Sequence, residues 1–263
     1  LSADSIKGEF GVTNPNYNNT DKMVFSSFKA SEIDRLSSSG YKTNKTGFEL
    51  GTKFEYLEDF KLGASGRSYY EKIETDSTAS ATQQKQEGDY WDTFLNLDFD
   101  YDKRNQKFQT TKGYRSIYNL DIPLISDTNT LTNSYDFRKY TEMYENNRTS
   151  FSFSIKSTFS VTGEDVKLSE RLLVPSSKLR GFEYGKVGPK DGTDFIGGNY
   201  VTSFNVQSNL PFLFENAQNI DMVLFFDSAN VWGVDYDSSI DDNNKIRSSI
   251  GIGVDWFTPI GPM

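Results

Sequence analysis

Apolar and polar residues alternate along most of this chain. In residues 149–161, Phe151, Phe153, Ile155, Phe159 and Val161 alternate with Ser152, Ser154, Lys156, Thr158 and Ser160. Successive side chains of a strand point to opposite faces, so the pattern predicts a strand with one apolar and one polar face. The same period recurs at 90–102, where Leu95, Leu97, Phe99 and Tyr101 oppose Asn96, Asp98, Asp100 and Asp102. At 246–257 it sets Ile246, Ile250, Ile252, Val254 and Trp256 against Arg247, Gly251, Gly253 and Asp255. Less perfect runs at 6–14, 23–30, 41–56, 61–72, 114–122, 131–144, 199–210 and 220–228 bring the expected total to about eleven strands, with no convincing helix. Pro123 is expected to end its strand, and the Ser/Thr/Ala/Gln-rich stretch 74–88 reads as a mobile loop.

Several of these runs exceed the typical strand of about 5–6 residues and suit a tilted span across a bilayer. Short, turn-like connections alternate with longer polar ones, the 123–130 connection being the exception. Short turns on one rim and long loops on the other characterise outer-membrane barrels. A soluble β-sandwich also alternates, but it seldom keeps strands this long. The expected fold is therefore an all-β, transmembrane antiparallel barrel whose apolar face meets lipid and whose polar face lines a lumen.

Composition narrows the chemistry. The 263 residues include no cysteine and no histidine. Disulfides, thiolate metal sites, His-ligated zinc and Ser-His or Cys-His nucleophile pairs are thus impossible. No enzymatic activity and no cofactor are expected. The net charge of −9 gives no reason to expect a nucleic-acid partner. The 21 Phe, 15 Tyr and 3 Trp fit strands and interfacial girdles. No run approaches 18 apolar residues, so no transmembrane helix is expected. The opening Leu1-Ser2-Ala3-Asp4 resembles neither a start nor a signal peptide, and the chain reads as a fragment.

The longest polar segment, 162–198, holds Leu179-Arg180-Gly181-Phe182. Taken alone, an Arg-Gly-Phe is most simply an exposed loop. Strand parity changes that reading, because Gln207, Asp227 and Asp255 fall on the polar, lumen-facing side. An arginine carried into the lumen by the loop could then fork onto a carboxylate, which makes Arg180 with Asp227 a specific, testable pair. Two acidic groups, Asp98/Asp100/Asp102 and Asp235/Asp237/Asp241/Asp242, offer oxygen ligands of the kind calcium takes. Neither has EF-hand spacing, so both read as solvated acidic surface and no metal site is expected.

The motifs resemble the BamA family of outer-membrane protein-assembly barrels. Leu179-Arg180-Gly181-Phe182 with Val187-Gly188-Pro189-Lys190 and Gly197-Gly198-Asn199 is similar to the family's long-loop motif. Phe225-Phe226-Asp227-Ser228-Ala229-Asn230-Val231-Trp232 resembles its barrel-wall motif, and 247–263 resembles the strand before its final hairpin. Val12-Thr13-Asn14-Pro15 and the 102–113 turn match weaker motifs.

The resemblance implies a sixteen-stranded barrel preceded by periplasmic POTRA domains. On that template, residues 1–263 form a partial barrel lacking those domains, the first three strands and the last two. It also implies that the loop folds into the lumen, that Arg180 pairs with Asp227, and that Gly181 and Phe182 shape the loop tip. The implied activity is folding and insertion of β-barrel precursors into the bacterial outer membrane. The implied partners are unfolded outer-membrane protein precursors, accessory assembly lipoproteins and outer-membrane lipid. Two residues depart from the family pattern: Ala229 stands where glycine is common, and Gln207 where some members carry an inward acid. Asp227 is therefore expected to bear the ion pairing largely alone, with Gln207 a secondary anchor. A two-partner secretion transporter and a plain porin are the alternatives.

Overall fold

A computed structural model of the chain describes residues 5–211, 220–235, 240, 242, 245–258 and 261–262. Eleven long strands form one antiparallel wall: β1 (Ser5–Asn14), β2 (Lys22–Arg35), β3 (Tyr41–Leu57), β4 (Phe60–Thr75), β5 (Gly88–Asp102), β6 (Gly113–Ser126), β7 (Thr130–Thr141), β8 (Thr149–Ser160), β11 (Tyr200–Asn209), β12 (Ile220–Trp232) and β13 (Arg247–Thr258). A two-residue hairpin, β9 (Lys190–Asp191) and β10 (Asp194–Phe195), lies in the long connection, and β14 (Gly261–Pro262) pairs with β13. The wall runs in sequence order from β1 to β8 and on through β11, β12, β13 and β14. Among the described residues it does not close on itself.

The alternation sorts the two faces as the sequence pattern requires. Phe10, Phe48, Leu50, Ile155, Phe204, Leu224, Ile250 and Ile252 stand exposed on the outer face, with Ile250 81% accessible. The inner face buries Ser203, Asn205 and Asp227. Exposed apolar area of this extent on a sheet is what lipid contact demands.

Three local expectations differ. Pro123 does not end its strand: β6 continues to Ser126, and the register against β5 shifts between Thr93 and Phe94, which face Ile125 and Pro123. Proline is tolerated in sheets at such bulges because it has no N–H to give the ladder. The 74–88 stretch is folded. Ser80 opens a one-turn helix, α2 (Ala81–Gln84), with a reciprocal capping box to Gln83, whose buried amide donates to the Ser39 carbonyl at 2.7 Å. With α1 (Leu36–Ser39), the described residues thus hold two single-turn α-helices where none was expected. A low-complexity composition hid a helix held by caps and contacts rather than by an apolar stripe.

Candidate functional site

The long connection between β8 and β11 is pinched at its base by a bridge between Leu172 and Gly198, with reciprocal N–H···O bonds of 2.8 and 3.0 Å. Beyond this neck, Val174, Leu179 and Val187 pack with Ala229 and Val231 of the wall, and Phe182 and Val201 cover the cluster. This small core seats the tip. Ala229 is 2% exposed inside it, so the small residue is what lets Leu179 and Val187 approach the wall. Gly181 follows with φ of 84°, a left-handed backbone that side-chain-bearing residues avoid.

That turn directs Arg180 onto β12. Its Nε donates to Asp227 Oδ2 at 2.7 Å and its Nη2 to Oδ1 at 2.8 Å, while its backbone N–H also reaches Oδ2 at 3.0 Å. Asn205, directly across from Asp227 in the β11–β12 register, donates to Oδ1 at 2.9 Å and to the Lys178 carbonyl at 2.7 Å. Asp227 is fully buried and takes four donors, which is how a carboxylate survives desolvation. The guanidinium also lies 3.6 Å from the centre of the Phe225 ring, within cation–π range.

Gln207 has a larger part than a secondary anchor. Its Oε1 accepts from Arg180 Nη1 at 2.9 Å and its Nε2 donates to Asp255 Oδ2 at 3.2 Å. The amide therefore links the loop arginine, through β11, to a carboxylate on β13.

The sequence missed three members of the site. Asn205 became visible only through register. Phe225 had a signal, as an aromatic at lumen parity between Val223 and Asp227. Lys178, bonded to Asp136 at 3.1 Å, had none. Nearer the neck, Arg171 pairs with Asp235 at 2.6 Å and donates to Asn199. Burial alone would raise the Asp235 carboxyl, but the Arg171 charge and the Val166 N–H outweigh it and hold it below its ordinary value.

The acidic groups are not simply solvated. Arg115 forks onto Asp100 at 2.9 and 2.8 Å, Arg104 forks onto Asp102, and Lys53 contacts Asp98 and Asp100. In the second group Asp235 pairs as described, and Asp242 accepts from the Gly233 N–H. Asp237 and Asp241 lie outside the described residues.

The sequence pattern of the Omp85 superfamily domain matches residues 1–263. The chain belongs to the Omp85 superfamily. This is a superfamily of outer-membrane β-barrel proteins, and the wall described above is part of such a barrel. Over 106 residues the chain is 26% identical to "Outer membrane protein assembly factor BamA" of Neorickettsia risticii (strain Illinois), covering 39% of this chain and 14% of that protein. Its fold matches "The crystal structure of BamA from Haemophilus ducreyi lacking POTRA domains 1-3" with a TM-score of 0.86 at 20% identity, over 98% of this chain and 57% of that one. "CdiB from Acinetobacter baumannii" matches with a TM-score of 0.53 at 12% identity, over 97% of this chain and 51% of that one. The chain thus spans about half the length of the solved structures it matches.

Proposed function

We propose that this chain is barrel wall from an outer-membrane protein assembly factor, one that helps unfolded β-barrel precursors fold and insert into the outer membrane. The observation that carries the reading is the loop tip held in the lumen by Arg180 on Asp227, within a wall that closely follows a BamA barrel. The name of the curated relative supports it. A related protein-secretion transporter is the second reading, favoured by the weaker likeness to CdiB.

The proposed activity needs no covalent step. In this reading the eleven strands belong to a sixteen-stranded barrel, and precursors, accessory lipoproteins and lipid are its partners. An assembly factor of this kind works by offering backbone hydrogen bonds to an incoming strand, the chemistry of β-augmentation. The contribution of the present residues is to hold the wall's shape and keep the loop seated while strands pair elsewhere.

The test is reconstitution. The full-length protein in liposomes is mixed with a urea-denatured outer-membrane barrel precursor, and folding is followed by the heat-modifiable mobility shift. Folding several-fold faster than in empty liposomes, and slower again with Arg180→Ala, is expected. A rate equal to that in empty liposomes rejects the assembly reading.

A further inference from the structure

Another place where the long connection grips the barrel is at Lys167. Just before the neck, residues 166–170 press on the ends of β4 and β5. There Lys167, 2% exposed, contacts Glu71 at 3.1 Å, Asp92 at shorter range and Glu170 at 3.4 Å. Glu71 and Asp92 are themselves 1% and 0% exposed. Each carboxylate is further tied down: Ser169 donates to Glu71 at 3.0 Å, and Ser126 and Thr128 donate to Asp92. The backbone of the limb is held as well, with the Leu168 N–H donating to Gln86 Oε1 at 2.8 Å.

This cluster has features a surface ion pair lacks. Lys167, Glu71 and Asp92 are all out of water, so leaving any one of them unpaired carries a heavy desolvation penalty. It also joins segments 75 and 96 residues apart in sequence. The tip, by contrast, is fastened to β11 and β12. Between the two grips lie β6, β7 and β8, with the strand order β4-β5-β6-β7-β8-β11-β12.

We propose that Lys167 is a positioning residue that turns the long connection into a cross-brace, tying the β4–β5 wall to the β11–β12 wall and holding the intervening arc at fixed curvature. Shape changes of the barrel would then fall outside this arc. Without Lys167 the limb keeps its hold near β12, through Arg171 on Asp235 and the Leu172–Gly198 bridge, but loses its ion pairs to β4 and β5. The brace is a statement about wall geometry and stands whether or not the protein assembles other barrels.

The test uses nitroxide labels at two lipid-facing positions, Leu95 on β5 and Phe204 on β11, in the full-length protein in detergent micelles, with the distance distribution read by pulsed electron resonance. Lys167→Met is expected to broaden the distribution at least twofold and to expose the 162–172 limb to protease, whereas Arg180→Lys should leave that limb protected. Because Lys167→Met strands the carboxylates of Glu71, Asp92 and Glu170, a second variant, Lys167→Met with Glu71→Gln, Asp92→Asn and Glu170→Gln, removes all four charges together. It should fold and still show the broad distribution. A distribution as narrow as wild type in that quadruple variant, with the limb still protected, overturns the brace.

Discussion

Arg180 gives Asp227 three of its hydrogen bonds, two from the guanidinium and one from its own backbone N–H. Side chain and main chain converge on one buried carboxylate, so the pair fixes both the charge and the path of the loop. Asp227→Ala strands a cation that is 30% exposed, whereas Arg180→Ala strands a fully buried anion. The second change should therefore cost more, about 3 kcal/mol against roughly 1–2. The temperature of the heat-modifiable mobility shift in the full-length protein ranks the two, and the charge swap Arg180→Asp with Asp227→Arg should recover part of the loss. Normal behaviour of both single variants would remove the pair from any account of loop anchoring.

Phe225 and Gly251 should behave as one unit. They face each other across β12 and β13, and a Cβ on Gly251 would stand 2.5 Å from Phe225 Cζ. Gly251→Ala must push the ring away from the guanidinium it supports, at about 1–3 kcal/mol. Phe225→Ala removes the stacking, about 1 kcal/mol. Combining them should cost clearly less than their sum, since the clash disappears with the ring. Strict additivity in a double-mutant cycle would contradict this packing.

At Gln207, charge alone is a poor guide. Gln207→Glu gives Arg180 a second anion but sets that anion against Asp255, which now receives a donor at 3.2 Å. Like charges at this range oppose one another. The variant should be less stable than wild type by about 1 kcal/mol, and Gln207→Glu with Asp255→Asn should match or exceed wild type. A single variant more stable than wild type would show that Asp255 does not govern the choice of amide.

Two loop carboxylates should titrate in opposite senses. Asp235 is held below its ordinary 3.8, so its stabilisation is present above 3.8 and lost as pH falls through the lower folded value. Burial pushes Glu170 above its ordinary 4.5 despite Lys167. Its ionisation therefore costs nothing below 4.5, and the cost grows as pH rises through the raised folded value. Asp235→Asn should flatten the acid limb of the stability profile below pH 3.8. Glu170→Gln should stabilise the protein at neutral pH and match wild type below pH 4.5. Unfolding measured across the pH range separates the two effects.

The alternating pattern carried the architecture in the sequence because period 2 is a local property. Phe151, Phe153 and Ile155 announce an outward face whatever they pair with, and the same parity put Asp227 and Gln207 in the lumen. The family motif around Arg180 then supplied a partner for it. Pro123 misled because a bulge depends on the neighbouring strand, and Ala81–Gln84 because its stability comes from a cap and from Ser39, distant in sequence.

By itself, then, the sequence determined a two-faced barrel wall and which of its residues face inward. Only the tertiary structure decided what those inward residues meet. It set Asn205 beside Asp227 through strand register, passed Gln207 on to Asp255, laid Arg180 on Phe225 and buried Lys167 between Glu71 and Asp92. The contacts of Arg180 and Lys167 depend on where a long connection crosses the lumen, and the course of its tip follows from packing at Leu179, Val187 and Ala229 rather than from any repeat in the chain.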